Sequence, residues 1–315
     1  MKKNTLEDSL NSEAIFFNDL INSKYRDGRI PLQADYRRAT KFIPDNNSTQ
    51  EPIDPELFKI LEGQTHDRIL NTIIKNGGNV LDICCGPGGI SLELARNGLN
   101  VEGYDISPDA IFVANKMKNE NPFNENFGSL KYECRDVNLI DFNNKKYNTI
   151  IGISAFHHIY NLETFLNKCK DSLNDNGMMV TFDDIGFTKT DFFIKNLFMF
   201  LLPKRGLSYK QKFFRLYNFV LHGKKFSNEI FSPMEVWASK HDEASDLIFN
   251  FWTKELKTVY IFYYGAFSGF VCGTLSGPDW FRYSISKILT SLDRFLIKIG
   301  ICRGFYRVII SKKIS

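Results

Sequence analysis

The sequence predicts an α/β fold: a doubly wound, mostly parallel sheet with helices on both faces. Three observations predict it. Short apolar runs alternate with helical patterns between Val80 and Phe182, the rhythm that strands joined by crossover helices produce. A Gly-Pro-Gly turn joins the first run to its helix in 82-DICCGPG-88. A carboxylate also stands at or just after the end of each of the first three runs, at Asp82, Asp105 and Asp136. Right-handed crossovers then place helices on both faces.

Each element has a local reason. Leu6, Leu10, Ile15, Leu20 and Ile21 recur at roughly helical spacing, which predicts a helix over Thr5–Tyr25. A polar linker follows, 43-IPDNNSTQEPIDP-55. Asp54-Pro55 starts a second helix through Leu57, Ile60, Leu61, Leu70 and Ile74, and Asn76-Gly77-Gly78 stops it. Val80–Ile83 is a strand, 89–98 a helix ended by Gly98, 100–104 a strand, and 108–120 a helix with Pro108 in its first turn. Residues 130–134 and 147–154 are strands. Asn161 caps a helix over 161–173, and the turn Asp175-Asn176-Gly177 leads into a strand over 178–182. After Asp184 the alternation stops. Residues 187–253 read as helical and aromatic-rich, 256–264 as a strand, 280–298 as a helix and 305–313 as a last strand.

Composition narrows the class. A net charge of +4 over 315 residues is too mild to indicate a nucleic-acid partner. The six cysteines form no C-x-x-C pair and no metal spacing, so they read as buried thiols of a reducing cytoplasm. The N-terminus has no apolar segment after its lysines. The longest apolar run, 192-FFIKNLFMFLLP-203, is interrupted by Lys195 and too short to span a bilayer, so no stable membrane insertion is expected. The run 284–313 is both apolar and basic. Its first reading is completion of the sheet; a membrane-surface helix is the other.

A bare turn between strand and helix lets a ligand approach the backbone. A nicotinamide dinucleotide would use G-x-G-x-x-G, with Asp105 nineteen residues beyond Gly86 for the ribose. Gly86 and Gly88 fit, but the third glycine falls on Ser91. S-adenosylmethionine carries no phosphate and brings a sulfonium cation, so it calls for carboxylates, which the three strand ends supply.

On these residues the segment 76–184 resembles the class I S-adenosylmethionine-dependent methyltransferases of small-molecule type. The resemblance implies a seven-stranded Rossmann-like sheet whose last strand, 305-FYRVIIS-311, is antiparallel. It implies four divisions: a helical N-terminal extension (1–75), the S-adenosylmethionine-binding core (76–186), a helical acceptor lid (187–253) and completion of the core sheet (254–315). It also implies the cofactor contacts. Asp82, Cys84, Cys85, Gly86, Pro87 and Gly88 form the glycine motif, with Asp82 supporting the methionine end. Asp105, followed by Ile106, takes the ribose hydroxyls. Asp136 and the backbone of Val137 take the adenine, and Ser154 and Ala155 lie beside the acceptor. Cys84 replaces the family's first motif glycine, and its Cβ is expected to narrow the turn.

Acceptor chemistry points to 154-SAFHHIY-160 and 181-TFDDIGF-187. His157 or His158 is the candidate general base, and Asp183, with Asp184, the candidate orienting acid. No metal is expected, because a metal-dependent site would want an acid where Ser154-Ala155 stand. By resemblance, strand four lacks the Pro-Pro motifs of base and glutamine methylation and the Pro-Cys of cytosine methylation. The thirteen Phe and Trp residues of the lid from Phe192 to Trp252 suit an apolar pocket or a helical packing core. Tyr25, Tyr36, Arg37 and Arg38 are expected near the cofactor or acceptor. The expected activity is methyl transfer to O or N of a small, apolar or aromatic metabolite. The alternatives are a nicotinamide-dependent oxidoreductase and a non-catalytic S-adenosylmethionine-binding protein. The expected partner is a small-molecule acceptor, with a homodimer allowed.

Overall fold

The computed structural model describes residues 6–25, 36, 39–42, 53–142, 145–222 and 241–313. Within them, one seven-stranded sheet has the order β3-β2-β1-β4-β5-β7-β6. Its strands are β1 (Asn79–Ile83), β2 (Asn100–Asp105), β3 (Ser129–Cys134), β4 (Tyr147–Ile153), β5 (Leu173–Asp184), β6 (Lys257–Tyr264) and β7 (Tyr306–Lys312). The first five pair in parallel, and β7 runs antiparallel between β5 and β6. The mostly parallel sheet and its antiparallel last strand are those the sequence predicts.

In chain order the helices are α1 (Leu6–Tyr25), α2 (Pro55–Phe58), α3 (Gln64–Asn76), α4 (Gly89–Arg96), α5 (Pro108–Asn119), α6 (Leu162–Asp171), α7 (Lys189–Leu201), α8 (Tyr209–His222), α9 (His241–Glu255), α10 (Ser268–Cys272) and α11 (Asp279–Lys298). Caps fix their starts. The Asp54 carboxylate accepts from Leu57 N, the Ser107 hydroxyl from Ala110 N and the Asn161 amide oxygen from Thr164 N. The expected second helix is broken by a π turn at Lys59–Gly63, which joins α2 to α3. The expected turn at 175–177 lies inside β5 as an irregularity, where pairing with β4 jumps from Tyr147↔Leu173 to Thr149↔Met178. Helix α10 was not predicted; at five residues it is too short to leave a periodic pattern.

Side chains alternate between two buried layers. Val80, Val101, Ile151, Val180 and Ile310 face α3, α4 and α5. Leu81, Ile83, Ile150, Met179 and Ile309 face α6 and α9. The expected lid therefore divides. Helix α9 belongs to the sheet's second layer, with Trp252 fully buried and packed on Phe156 at 5.4 Å between centroids. Helix α7 packs against α10 and α11, where Phe198 stacks on Phe267. Phe193, Phe213 and Phe214 point to solvent. Phe226, Phe231, Trp237 and the side chain of Phe219 lie outside the described residues, as do Arg37 and Arg38.

Candidate active site

A cavity of about 260 Å³ opens at the carboxyl ends of the central strands, where open α/β sheets bind ligands. The turns after β1, β2, β3 and β4 form its floor, with Cys84, Gly86, Pro87, Asp105, Ile106, Asp136, Val137, Ile153 and Ser154 on its wall. Helix α1 forms its roof through Leu10, Glu13, Phe17, Leu20, Ile21, Lys24 and Tyr25. Three bonds hold that roof on helix α5, one of them from Asp109 N to the Asn18 amide oxygen at 3.3 Å. The Asn18 amide oxygen accepts from the Ser107 hydroxyl at 2.6 Å, and Asn22 donates to the Asp109 carboxylate at 2.7 Å.

The glycine turn is shaped by its neighbours. Gly88 has φ of 77°, and a Cβ there would stand 2.4 Å from the Tyr132 hydroxyl oxygen, which itself donates to the Gly88 carbonyl. Gly88→Ala is therefore expected to lower unfolding stability by about 1–3 kcal/mol, through a left-handed backbone and a displaced buried ring. Chemical denaturation of wild type and variant reads this. Cys84 takes a φ of 52°, the left-handed region a glycine would adopt, and stands on the cavity wall. Ser154, at the end of neighbouring β4, is held the same way at 47°. Two residues in sparsely populated backbone conformations thus flank one cavity.

Hydrogen bonding in the turn separates the two cofactor classes. The Gly86 N–H, which a pyrophosphate would need, donates to Asp105 Oδ2 at 2.8 Å. Ser107 N donates to Asp105 Oδ1 at 2.8 Å, and Gly88 N to the Cys85 carbonyl. Ser91, where a dinucleotide turn has its third glycine, is fully buried and donates to Asp82 Oδ2 at 2.5 Å. Three carboxylates line the cavity, from Glu13, Asp105 and Asp136, with Lys24 and His158 as its basic groups. Such a wall repels a phosphate and favours a cation. The residues present fit a phosphate-free adenosine donor with a positive sulfur.

Burial pushes the Asp82 carboxyl up to about 7, against the Ser91 hydrogen bond, and the Asp105 charge adds to the rise. Burial likewise raises Asp105, opposed by the Ser107 and Gly86 amides. Burial, together with the nearby carboxylates, holds the thiols of Cys84 and Cys85 well above their ordinary value. A carboxyl raised on folding binds its proton more tightly in the native state. The ligand-free protein should therefore be most stable below about pH 4 with respect to Asp82, and lose that contribution as pH rises to about 7. Asp82→Asn is expected to remove roughly 2–4 kcal/mol of this pH dependence, measured as unfolding free energy across that window. Glu62, also raised to about 7 by burial, keeps its own share in both proteins.

Of the residues expected at the cofactor, Asp82, Cys85 and Gly88 stand behind the wall and the others line it. Of the candidate bases and orienting acids His157, His158, Asp183 and Asp184, His158 alone lines the cavity. Its Nδ1 lies 2.8 Å from Glu13 Oε1, and Glu13 is 2% exposed. His157 is buried with its Nδ1 3.6 Å from Asp183 Oδ1, and the Thr181 hydroxyl donates to the other Asp183 oxygen. Register sets Asp183 opposite Arg307, on the face away from Phe182. Tyr25 lines the cavity, whereas Tyr36 packs on Phe58 and bonds Asp67. Beyond Ile153 the sheet edge continues into Phe182, whose ring meets Tyr306 at 5.2 Å, Tyr264 at 5.5 Å and His66 at 6.4 Å.

Glu13, Phe17, Lys24 and Asn138 also line the cavity and were not anticipated. Glu13 sits on a helix whose apolar spacing was visible, but nothing in the sequence says which polar residue of that helix turns inward.

Residues 57–191 match a family model described as a methyltransferase domain. A ubiquinone biosynthesis O-methyltransferase of Coxiella burnetii is 26% identical over 127 residues, 40% of this chain and 49% of that protein. One from Bradyrhizobium diazoefficiens is 30% identical over 113 residues, 36% and 42% of the two chains. The chain thus spans about half the length of the curated relatives it matches. The magnesium protoporphyrin IX methyltransferase of Synechocystis PCC 6803 superposes with a TM-score of 0.49 at 13% identity, covering 95% of this chain and 97% of that one.

Proposed function

We infer that this chain, whose residues 57–191 belong to the methyltransferase-domain family, transfers the methyl group of S-adenosylmethionine to an oxygen or nitrogen of a small, apolar or aromatic metabolite. One observation carries the reading. The cavity is lined by carboxylates, while the glycine-turn amide that a phosphate would need is already donated to Asp105. The cofactor, when bound, supplies an electrophilic methyl group on a sulfonium.

The chain's own residues supply position, field and a proton acceptor. Asp105 receives the ribose hydroxyls while its two backbone bonds fix its plane. Asp136 and the Val137 backbone hold the adenine. Glu13 and Asp105 set a negative field around the sulfonium, and Lys24 offers a cation to the methionine carboxylate. Helix α1 excludes water. His158, oriented by Glu13, takes the acceptor's proton through its other ring nitrogen, and His157 with Asp183 steadies it from behind; the two imidazoles lie 4.2 Å apart. The apolar and aromatic lining from Leu10, Phe17, Leu20, Ile21 and Tyr25 favours an apolar or aromatic acceptor. Six free thiols suit a cytoplasmic setting.

Titration calorimetry with S-adenosylmethionine and NADH, followed by S-adenosylhomocysteine release across a metabolite panel, tests this reading. Sulfonium binding with turnover is expected. NADH binding alone would move the chain to the oxidoreductases, and sulfonium binding with no turnover for any acceptor to the non-catalytic binders. The mass of the same preparation by light scattering tests for a homodimer.

A further inference from the structure

Helix α11 has two working faces. Arg282, Ser286, Leu289, Thr290 and Asp293 are buried against the rest of the fold. Asp293 accepts from the backbone amides of Ala266, Phe267 and Ser268, which fixes this helix against the start of α10. The opposite face is open: Trp280 is 72% exposed, Ile288 61% and Phe295 56%. Lys287, Arg294 and Lys298 are exposed beside them. At about 100° per residue, Trp280, Ser284, Ser291 and Lys298 share one line within about 40°. Ile288 and Phe295 fall about 60–80° from Trp280 on one side, and Lys287 and Arg294 about 20–40° on the other. Exposed Ile299 and Ile301 extend the surface past the helix end. Between Trp280 and Ile301 the only acid is Asp293, and it is buried.

We propose that this outer face of α11 docks the protein on the surface of an anionic lipid bilayer. An apolar strip flanked by a basic rim, whose one exposed acid on this helix, Asp279, stands at its first residue and pairs with Lys41 and Arg282, is the composition of a helix lying at a headgroup boundary. A large indole at one end suits the same depth. The charge complementarity is one-sided: Lys287, Arg294 and Lys298 face outward, of the described carboxylates Glu62 acts on Arg294, and anionic headgroups supply the counter-charge on the open side. Contact is peripheral, since no described helix is long and apolar enough to cross a membrane. The inner face still completes the fold, so one helix does both. The inference stands whether or not the cavity transfers methyl groups.

Co-sedimentation of the full chain with phosphatidylcholine vesicles, with and without phosphatidylglycerol, tests it. Binding only to the phosphatidylglycerol vesicles, weakening as salt rises, is expected. Lys287→Glu with Arg294→Glu should weaken it at least tenfold, and so should Ile288→Ser with Phe295→Ser. Unfolding midpoint and cofactor affinity should stay unchanged in both variants, because the substituted side chains are solvent-facing. Failure to sediment with either vesicle at low salt would overturn the proposal, as would equal binding by the variants. So would a lipid-free dimer that Ile288→Ser with Phe295→Ser dissociates, since the face would then belong to a second copy of the chain.

Discussion

Asp105→Ala should weaken S-adenosylmethionine binding by about 1.5–3 kcal/mol, close to ten- to a hundredfold or more in Kd, because a charged acceptor is taken from two hydroxyls. The structure adds a second loss. Asp105 is 8% exposed, and its two oxygens accept from Gly86 N and Ser107 N. Alanine leaves both amides without that partner, at about 1–3 kcal/mol each. The turn should loosen as well as lose its ribose ligand. Calorimetric titration gives the first quantity and chemical denaturation of the ligand-free protein the second. Asp105→Asn separates them: it keeps one accepting oxygen, but turns an amide NH2 toward a backbone donor or a ribose hydroxyl. Unchanged affinity in the alanine variant would mean that the ribose lies elsewhere.

Most of this fold was legible because its signals are local. Parallel strands buried on both faces read as continuous apolar runs, as in Met178–Val180. Helix starts were written in single residues or pairs, Asp54-Pro55, Pro108 and Asn161. The floor of the cavity was legible for the same reason: each strand end carries its own side chain to the same edge of the sheet. What stayed hidden depends on contacts between distant segments. That α1 folds back over the β1 turn is decided by pairs such as Asn18 with Ser107 and Asn22 with Asp109, far apart in the chain. That α9 belongs to the sheet rather than to a lid is decided by Trp252 meeting Phe156. An aromatic run looks the same in both settings. The π turn at Lys59–Gly63 falls in the same class, since its residues are ordinary helix formers and only their neighbours set the extra width.

His158→Ala should lower kcat about 10²–10⁴-fold, the range a positioned general base supplies. Glu13→Gln should lower it less, about tenfold, because the imidazole remains but loses the carboxylate that fixes its orientation. The argument rests on their arrangement. Glu13 is buried in the roof, His158 stands on the wall, and 2.8 Å separates Oε1 from Nδ1. A merely structural contact would loosen α1, raising the KM for the cofactor while kcat held. A catalytic pair does the reverse, and imidazole added to His158→Ala should restore part of the rate. Because the two residues act as a unit, the double variant should be little slower than His158→Ala alone. Additive losses in kcat, or a loss confined to cofactor KM, would remove His158 from the chemistry. Alignment and exclusion of water would then remain as the chain's whole contribution to rate.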